Sequence, residues 1–258
     1  MANKKYKGYL IDLDGTIYKG KAPIPAAKRF IEKLQHNHIP FLFVTNNSTR
    51  SPEKIVANLA NNFDIHVTEE NVYSSAIATA DYVSGLDASK KSVYVIGEMG
   101  LKQELLKHGF IFDEENPDYV IIGLDYDLTY HKLELATLAV RNGAKLIGTN
   151  PDSNLPSERG MIPSTGSIVA SVEFATQQKA TFVGKPESII TEKALEKLQL
   201  SKNEVAMIGD NYHTDIMAGI NYGIDTIIVY TGLSTPEEIQ QVKDKPTYQL
   251  NSLDEWEI

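Results

Sequence analysis

Short apolar runs alternate with amphipathic segments along the whole chain. Tyr9-Leu10-Ile11 reads as a strand running into Asp12. Pro25 opens a helix whose Ala27, Phe30, Ile31 and Leu34 share one face. Pro40-Phe41-Leu42-Phe43-Val44-Thr45 is a strand of the buried type. Ser51-Pro52-Glu53 starts the next helix, with serine as N-cap and proline in the first turn. A further helix is predicted over residues 75–83. Residues 93–96, 119–122 and 145–149 read as strands, with helices over 97–108 and 130–141 between them. A stretch rich in Pro, Gly and Ser, 150–166, precedes a helix over 167–177. Strands at 181–183, 205–208 and 226–229 follow, with helices after Pro186 and Thr214 and a capping box at Thr235-Pro236-Glu237-Glu238. This rhythm is the β-α-β pattern of parallel sheets covered by helices on both faces.

Two polar stretches interrupt it, 84–91 and Gln178-Lys179-Ala180. The segment between them has strands and helices of its own. The reading is an α/β protein: a Rossmann-like parallel-sheet core made of residues 1–83 and 181–258, with an α/β domain inserted at 84–180. One continuous sheet is the alternative that the pattern alone leaves open.

Composition narrows the classes. Apolar residues make up 42% and charged residues 23%, an ordinary globular balance. Cysteine is absent, which excludes disulfides, thiolate metal sites and cysteine nucleophiles. Residues 1–8 are basic but carry no signal-peptide core, and no apolar run approaches the roughly 20 residues of a membrane span. A cytoplasmic protein without a membrane partner is expected. The net charge of −9 disfavours nucleic acid as a partner, because that binding rests on a basic surface. The same charge repels phosphate, so a phosphate site needs a local cation, a lysine or helix N-termini.

In open parallel sheets ligands bind beyond the carboxyl ends of the strands. Four of those ends carry polar groups: Asp12-Leu13-Asp14-Gly15-Thr16, Thr45-Asn46-Asn47, Gly184-Lys185-Pro186, and Gly209-Asp210 with Thr214-Asp215. Two close carboxylates, Asp12 and Asp14, repel and invite a cation. One such group can attack phosphorus, and another can give a proton to the leaving oxygen and then take one from water. A strand followed by an ordinary Asp-Gly turn is the plainer reading of the same residues. Thr45 and Asn46 offer donors to phosphate oxygens, or else a polar turn. Lys185 offers a point charge for phosphate, or else a surface lysine. Asp210 suits a magnesium site, which takes few carboxylates, several waters and a phosphate oxygen. Asp215 suits a group that orients Lys185, Asp210 or water, or else a first-turn carboxylate favoured by the helix dipole.

Taken together, these residues resemble the haloacid dehalogenase superfamily of phosphatases. The resemblance implies Asp12 as nucleophile and Asp14 as general acid and base. It implies Mg2+ held by Asp12, the main-chain carbonyl of Asp14, and Asp210. Thr45 and Lys185 would hold the phosphoryl group. The insert lies where this superfamily places its larger α/β cap, the C2 type. Gly123-Leu124-Asp125, Thr149-Asn150-Pro151-Asp152 and Pro163-Ser164-Thr165-Gly166 resemble the NagD-like, 4-nitrophenylphosphatase branch. The implied substrate is a small phosphorylated metabolite: a sugar or acid-sugar phosphate, 4-nitrophenyl phosphate or a nucleoside monophosphate. Asp125, Tyr126 and Asp127 are candidates to touch its leaving group, with an ordinary loop as the plainer reading. The chain departs from many relatives at Asn211-Tyr212-His213, where Tyr212 and His213 either alter substrate access or, the favoured reading, face solvent. A phosphomutase and a silent phosphometabolite-binding regulator are the competing functions. A dinucleotide-binding module is weaker, since no Gly-x-Gly-x-x-Gly follows the first strand.

Overall fold

The buried-type runs become the inner strands of two sheets. In the computed structural model, which describes residues 4–258, contacts divide the chain into two units. The first holds the chain up to Thr45, Pro52–Tyr73 and Lys185–Ile258; the second holds Asn46–Ser51 and Ser74–Gly184. The start of the basic N-terminal segment, residues 1–3, lies outside the described residues.

The first sheet has the order Tyr248–Leu250, Asp225–Val229, Val205–Gly209, Gly8–Ile11, Phe41–Thr45, Val72–Ser74. From Tyr248–Leu250 to Phe41–Thr45 every pairing is parallel. Gly8–Ile11, Phe41–Thr45 and Val205–Gly209 are buried along their whole length, as strands covered on both faces must be. The helix Pro25–His36 buries the expected Ala27, Phe30, Ile31 and Leu34. These residues pack with Tyr9, Ile11, Phe43, Ile208 and Trp256 into one core. From Gly8–Ile11 the chain first winds toward Phe41–Thr45 and later returns on the other side through Val205–Gly209. That reversal puts a topological switch point between Gly8–Ile11 and Val205–Gly209, where such sheets open a crevice.

The second sheet has the order Thr181–Phe182, Lys145–Gly148, Tyr119–Ile122, Ser92–Ile96, Ile111–Phe112, all parallel. The helices Tyr130–Arg141 and Thr165–Thr176 contribute Ala136, Val140, Val169 and Val172 to its core, against Tyr94, Ile96, Val120 and Ile122.

The junctions differ from those expected at 84 and 181. The helix Ser75–Leu86 runs through Ser84, because Val83 is buried on its inner face and Ser74 caps its start by accepting from the Ile77 amide. Thr181–Phe182, read as the beginning of the returning core, pairs instead with Ile147 and Gly148 and closes the edge of the second sheet. The first unit resumes at Lys185. The stretch 150–166 folds in part into an antiparallel hairpin, Asn154–Ser157 with Gly160–Pro163. No helix among the described residues is long and apolar enough to cross a membrane.

Candidate active site

The switch point of the first sheet gathers the carboxylates. The Asp12 amide donates to the Ile208 carbonyl at 2.9 Å, continuing the parallel ladder one residue beyond Gly8–Ile11. Asp12 therefore sits level with the end of Val205–Gly209, from which Asp210 follows. Carboxylate oxygens of Asp12, Asp210 and Asp215 lie within 4.8 Å of one another, and all three residues are buried. Lys185, 2% exposed, is the residue at which the first unit resumes, and it reaches into this group. Its ammonium donates to Asp12 Oδ1 at 2.5 Å, Asp215 Oδ1 at 2.7 Å and the Val44 carbonyl at 2.9 Å.

Asp210 is held from two sides: Thr16 Oγ1 donates to Oδ1 at 3.2 Å and the Leu233 amide to Oδ2 at 2.8 Å. Asp215 accepts from Lys185, from Thr214 Oγ1 at 3.1 Å and from the Asn211 amide at 3.1 Å. Asp215 lies in a π-helical turn, Tyr212–Ile216, a wide turn that often re-aims side chains at functional sites. Burial pushes the Asp12 carboxyl well above the usual range, with Asp215 adding repulsion and Lys185 opposing both. Burial, reinforced by Asp215, pushes Asp210 up to about 6. Burial opposes the charge of Lys185, but Asp12 and Asp215 outweigh it and hold the ammonium above its ordinary value.

Three buried carboxylates face one ammonium, and the donor set is all oxygen. That deficit of positive charge and that chemistry fit a hard divalent cation.

The Asp14 side chain stands outside the cluster. It is exposed, and its Oδ1 accepts from the Gly20 amide at 3.0 Å. Gly15 allows this turn: its φ is +100°, and a Cβ there would lie 2.3 Å from Asp210 Oδ2. Thr45 ends the strand next to Gly8–Ile11 and is buried. Asn46 groups with the second unit, where its Nδ2 donates to Asp152 Oδ2 at 3.0 Å and its carbonyl accepts from Ser75 and Asn150. Asp125 is buried and paired with Lys132 at 2.8 Å, and its Oδ1 accepts from the Asp127 amide. Tyr126 is 62% exposed, with its amide on Glu98 Oε1.

One expectation is corrected. Tyr212 is buried, not solvent-facing: the π turn rolls its ring onto Ile216, Ile228 and Ile239, and its hydroxyl donates to the Asp244 carbonyl at 2.8 Å. His213 is exposed as expected, with Nε2 2.8 Å from Glu238 Oε1. Sequence reasoning assigned no role to Thr16 or Leu233. The Thr16 hydroxyl was visible in the first motif, whereas the Leu233 donor is a main-chain amide with no side-chain signature.

A parallel-sheet switch point with clustered carboxylates and a buried lysine suits phosphoryl transfer. The family model described as haloacid dehalogenase-like hydrolase matches residues 9–111, and one described as HAD-hydrolase-like matches 182–256. An acid sugar phosphatase of Staphylococcus epidermidis is 52% identical over 251 residues, 97% of this chain and 96% of the relative. The 5'-nucleotidase YutF of Bacillus subtilis is 46% identical over 253 residues, 98% of each. The solved structure of a mutant thermostable p-nitrophenylphosphatase from Bacillus stearothermophilus is 54% identical, with a TM-score of 0.91 over 99% of each chain. The chain belongs to the haloacid dehalogenase-like hydrolases, and within them it is a phosphatase.

Proposed function

We propose that the chain hydrolyses small phosphomonoesters by way of a phosphorylated Asp12, with sugar or acid-sugar phosphates as the first candidates. The observation that carries this reading is the buried Asp12 carboxylate, held by the Lys185 ammonium beside two further carboxylates. In the first step an Asp12 carboxylate oxygen attacks phosphorus. The bond from phosphorus to the leaving oxygen breaks, its electron pair goes to that oxygen, and the Asp14 carboxyl supplies a proton to it. In the second step water attacks phosphorus and gives a proton to the Asp14 carboxylate. The bond to Asp12 breaks, which restores the carboxylate and releases inorganic phosphate. The sum is ester plus water to alcohol plus phosphate.

Lys185 opposes the charge of the phosphoryl group and of Asp12. Thr45 is assigned to a phosphoryl oxygen, and Asn46 is a second candidate donor beside it. Mg2+ is the proposed cofactor, held by Asp12, Asp210 and the Asp14 carbonyl. When bound it would orient the phosphate and offset negative charge. Asp215 already accepts three donors, which favours a supporting role behind Lys185 over direct ligation. The second unit is assigned the choice of substrate, and the enzyme is taken as cytoplasmic.

The relatives' names support this substrate class and also leave nucleoside monophosphates and 4-nitrophenyl phosphate as candidates. The test is phosphate release from a panel of these esters, with magnesium and with chelator. Magnesium-dependent release with a clear ranking is expected. Transfer of phosphate between positions of a sugar with no release would move the assignment to a mutase. Binding without either reaction would move it to a regulator.

A further inference from the structure

The segment after Asp225–Val229 touches the candidate site at several points, although none of its side chains belongs to the carboxylate cluster. Thr231 Oγ1 donates to the Gly15 carbonyl at 2.5 Å. The Leu233 amide donates to Asp210 Oδ2, and the Ser234 amide to the Asp210 carbonyl at 3.0 Å. Ser234 Oγ accepts from the Tyr212 amide at 2.9 Å, at the start of the π turn that carries Asp215. Between these contacts lies Gly232, where a Cβ would fall 1.8 Å from Asp210 Oδ2. Only a glycine lets the main chain pass this close to the carboxylate.

We infer that Thr231, Gly232 and the Leu233 amide are a positioning brace that fixes the Asp14-Gly15 turn relative to Asp210. The turn is tight: the Gly15 amide donates to the Tyr18 carbonyl at 2.6 Å, and Gly20 holds Asp14. That hairpin sets the direction of the Asp14 carboxyl within the turn. The Thr231 hydroxyl ties the turn to the segment that holds Asp210. Because the groups of a phosphoryl-transfer site must meet within a fraction of an ångström, a slack turn costs the acid more than it costs the nucleophile, whose strand is fixed by the sheet. The inference rests on the phosphatase reading and on Asp14 as its acid.

Two variants test it. Thr231→Val keeps the shape and removes the donor. Its kcat on an alkyl phosphomonoester, whose leaving oxygen needs the proton, should fall about tenfold or more. Its kcat on 4-nitrophenyl phosphate, a good leaving group, should fall much less, with KM and melting temperature nearly unchanged. Thr231→Ser should restore the ratio. Both rates are read at saturating magnesium, so that a weaker hold of the Asp14 carbonyl on the cation does not enter; equal losses on both substrates there, or a ratio that serine fails to restore, would overturn the role of Thr231. Gly232→Ala places a methyl group against Asp210 and is read by calorimetric titration with magnesium alone, without turnover. Magnesium affinity weaker by about tenfold supports the brace, and unchanged affinity overturns its Asp210 half. Inactivity of the unaltered chain on both esters would overturn the phosphatase reading and the brace with it.

Discussion

Lys185 sits with its ammonium between two buried carboxylates, and its worth is clearest when it is removed. Lys185→Met would leave Asp12 and Asp215 buried and facing each other without a counter-charge. In chelator, the variant should lose about 3 kcal/mol of stability by denaturant titration, the usual cost of breaking a buried pair. Adding Asp215→Asn should recover part of that loss; a double variant no more stable than Lys185→Met would mean that Asp215 is not what Lys185 offsets. Asp12, Lys185 and Asp210 were legible in the sequence because each is a charged side chain at the end of an apolar run, and Asp215 because it follows Asp210 within the same motif. The main-chain donor of Leu233 was not, since any non-proline residue supplies one. Tyr212 was misread for a different reason. Its neighbours Asn211 and His213 are polar, while the apolar side chains it packs against, Ile228 and Ile239, lie far along the chain.

The inner strands and the amphipathic helices were legible because runs of four or five apolar residues, or one apolar face, settle their placement. The edge strands Val72–Ser74, Ile111–Phe112 and Tyr248–Leu250 have too few residues to show a period. Ser84-Gly85 read as linker on polarity alone, while the buried Ala76, Ile77, Ala80 and Val83 carry the helix past it. That helix is tied to Met99–Lys107 by His108, whose Nε2 lies 2.8 Å from Asp81 Oδ1 and whose Nδ1 faces the Glu104 carbonyl. The Asp81 hydrogen bond raises the imidazole above its ordinary value of 6.5, against the opposing effect of burial. A group raised in the folded state stabilises fully below its unfolded value and loses that contribution as pH rises through the folded one. Stability relative to a His108→Gln variant should therefore be greatest below about pH 6.5 and decline above it. A difference that is flat in pH would show that the pair is never charged.

At the scale of the molecule, a chain of net charge −9 concentrates three of its aspartates at its switch point. Asp12 and Asp210 both stand above 3.8 without a cation, Asp210 at about 6. Between those values the folded chain binds more protons than the unfolded one. The contribution of these carboxylates to stability therefore falls as pH rises through that window. A divalent cation should then raise the melting temperature more at pH 8 than at pH 5, and an equal rise at both would place the cation elsewhere. The family and the phosphatase class were legible from four motifs spread over the chain. The course of the domain boundary was not, because Thr181–Phe182 looks like any other short strand until its partner is known.

On the proposed mechanism, Asp12 carries the phosphoryl group between the two steps. The most direct measurement is acid quench of the chain mixed with a radiolabelled phosphomonoester and magnesium, followed by peptide mapping. Label is expected on the peptide that holds Asp12, with slower discharge in Asp14→Asn, and in Asp12→Asn neither label nor turnover above about a thousandth of the unaltered rate. Label on another residue, or phosphate release by Asp12→Asn at a rate near that of the unaltered chain, would contradict it.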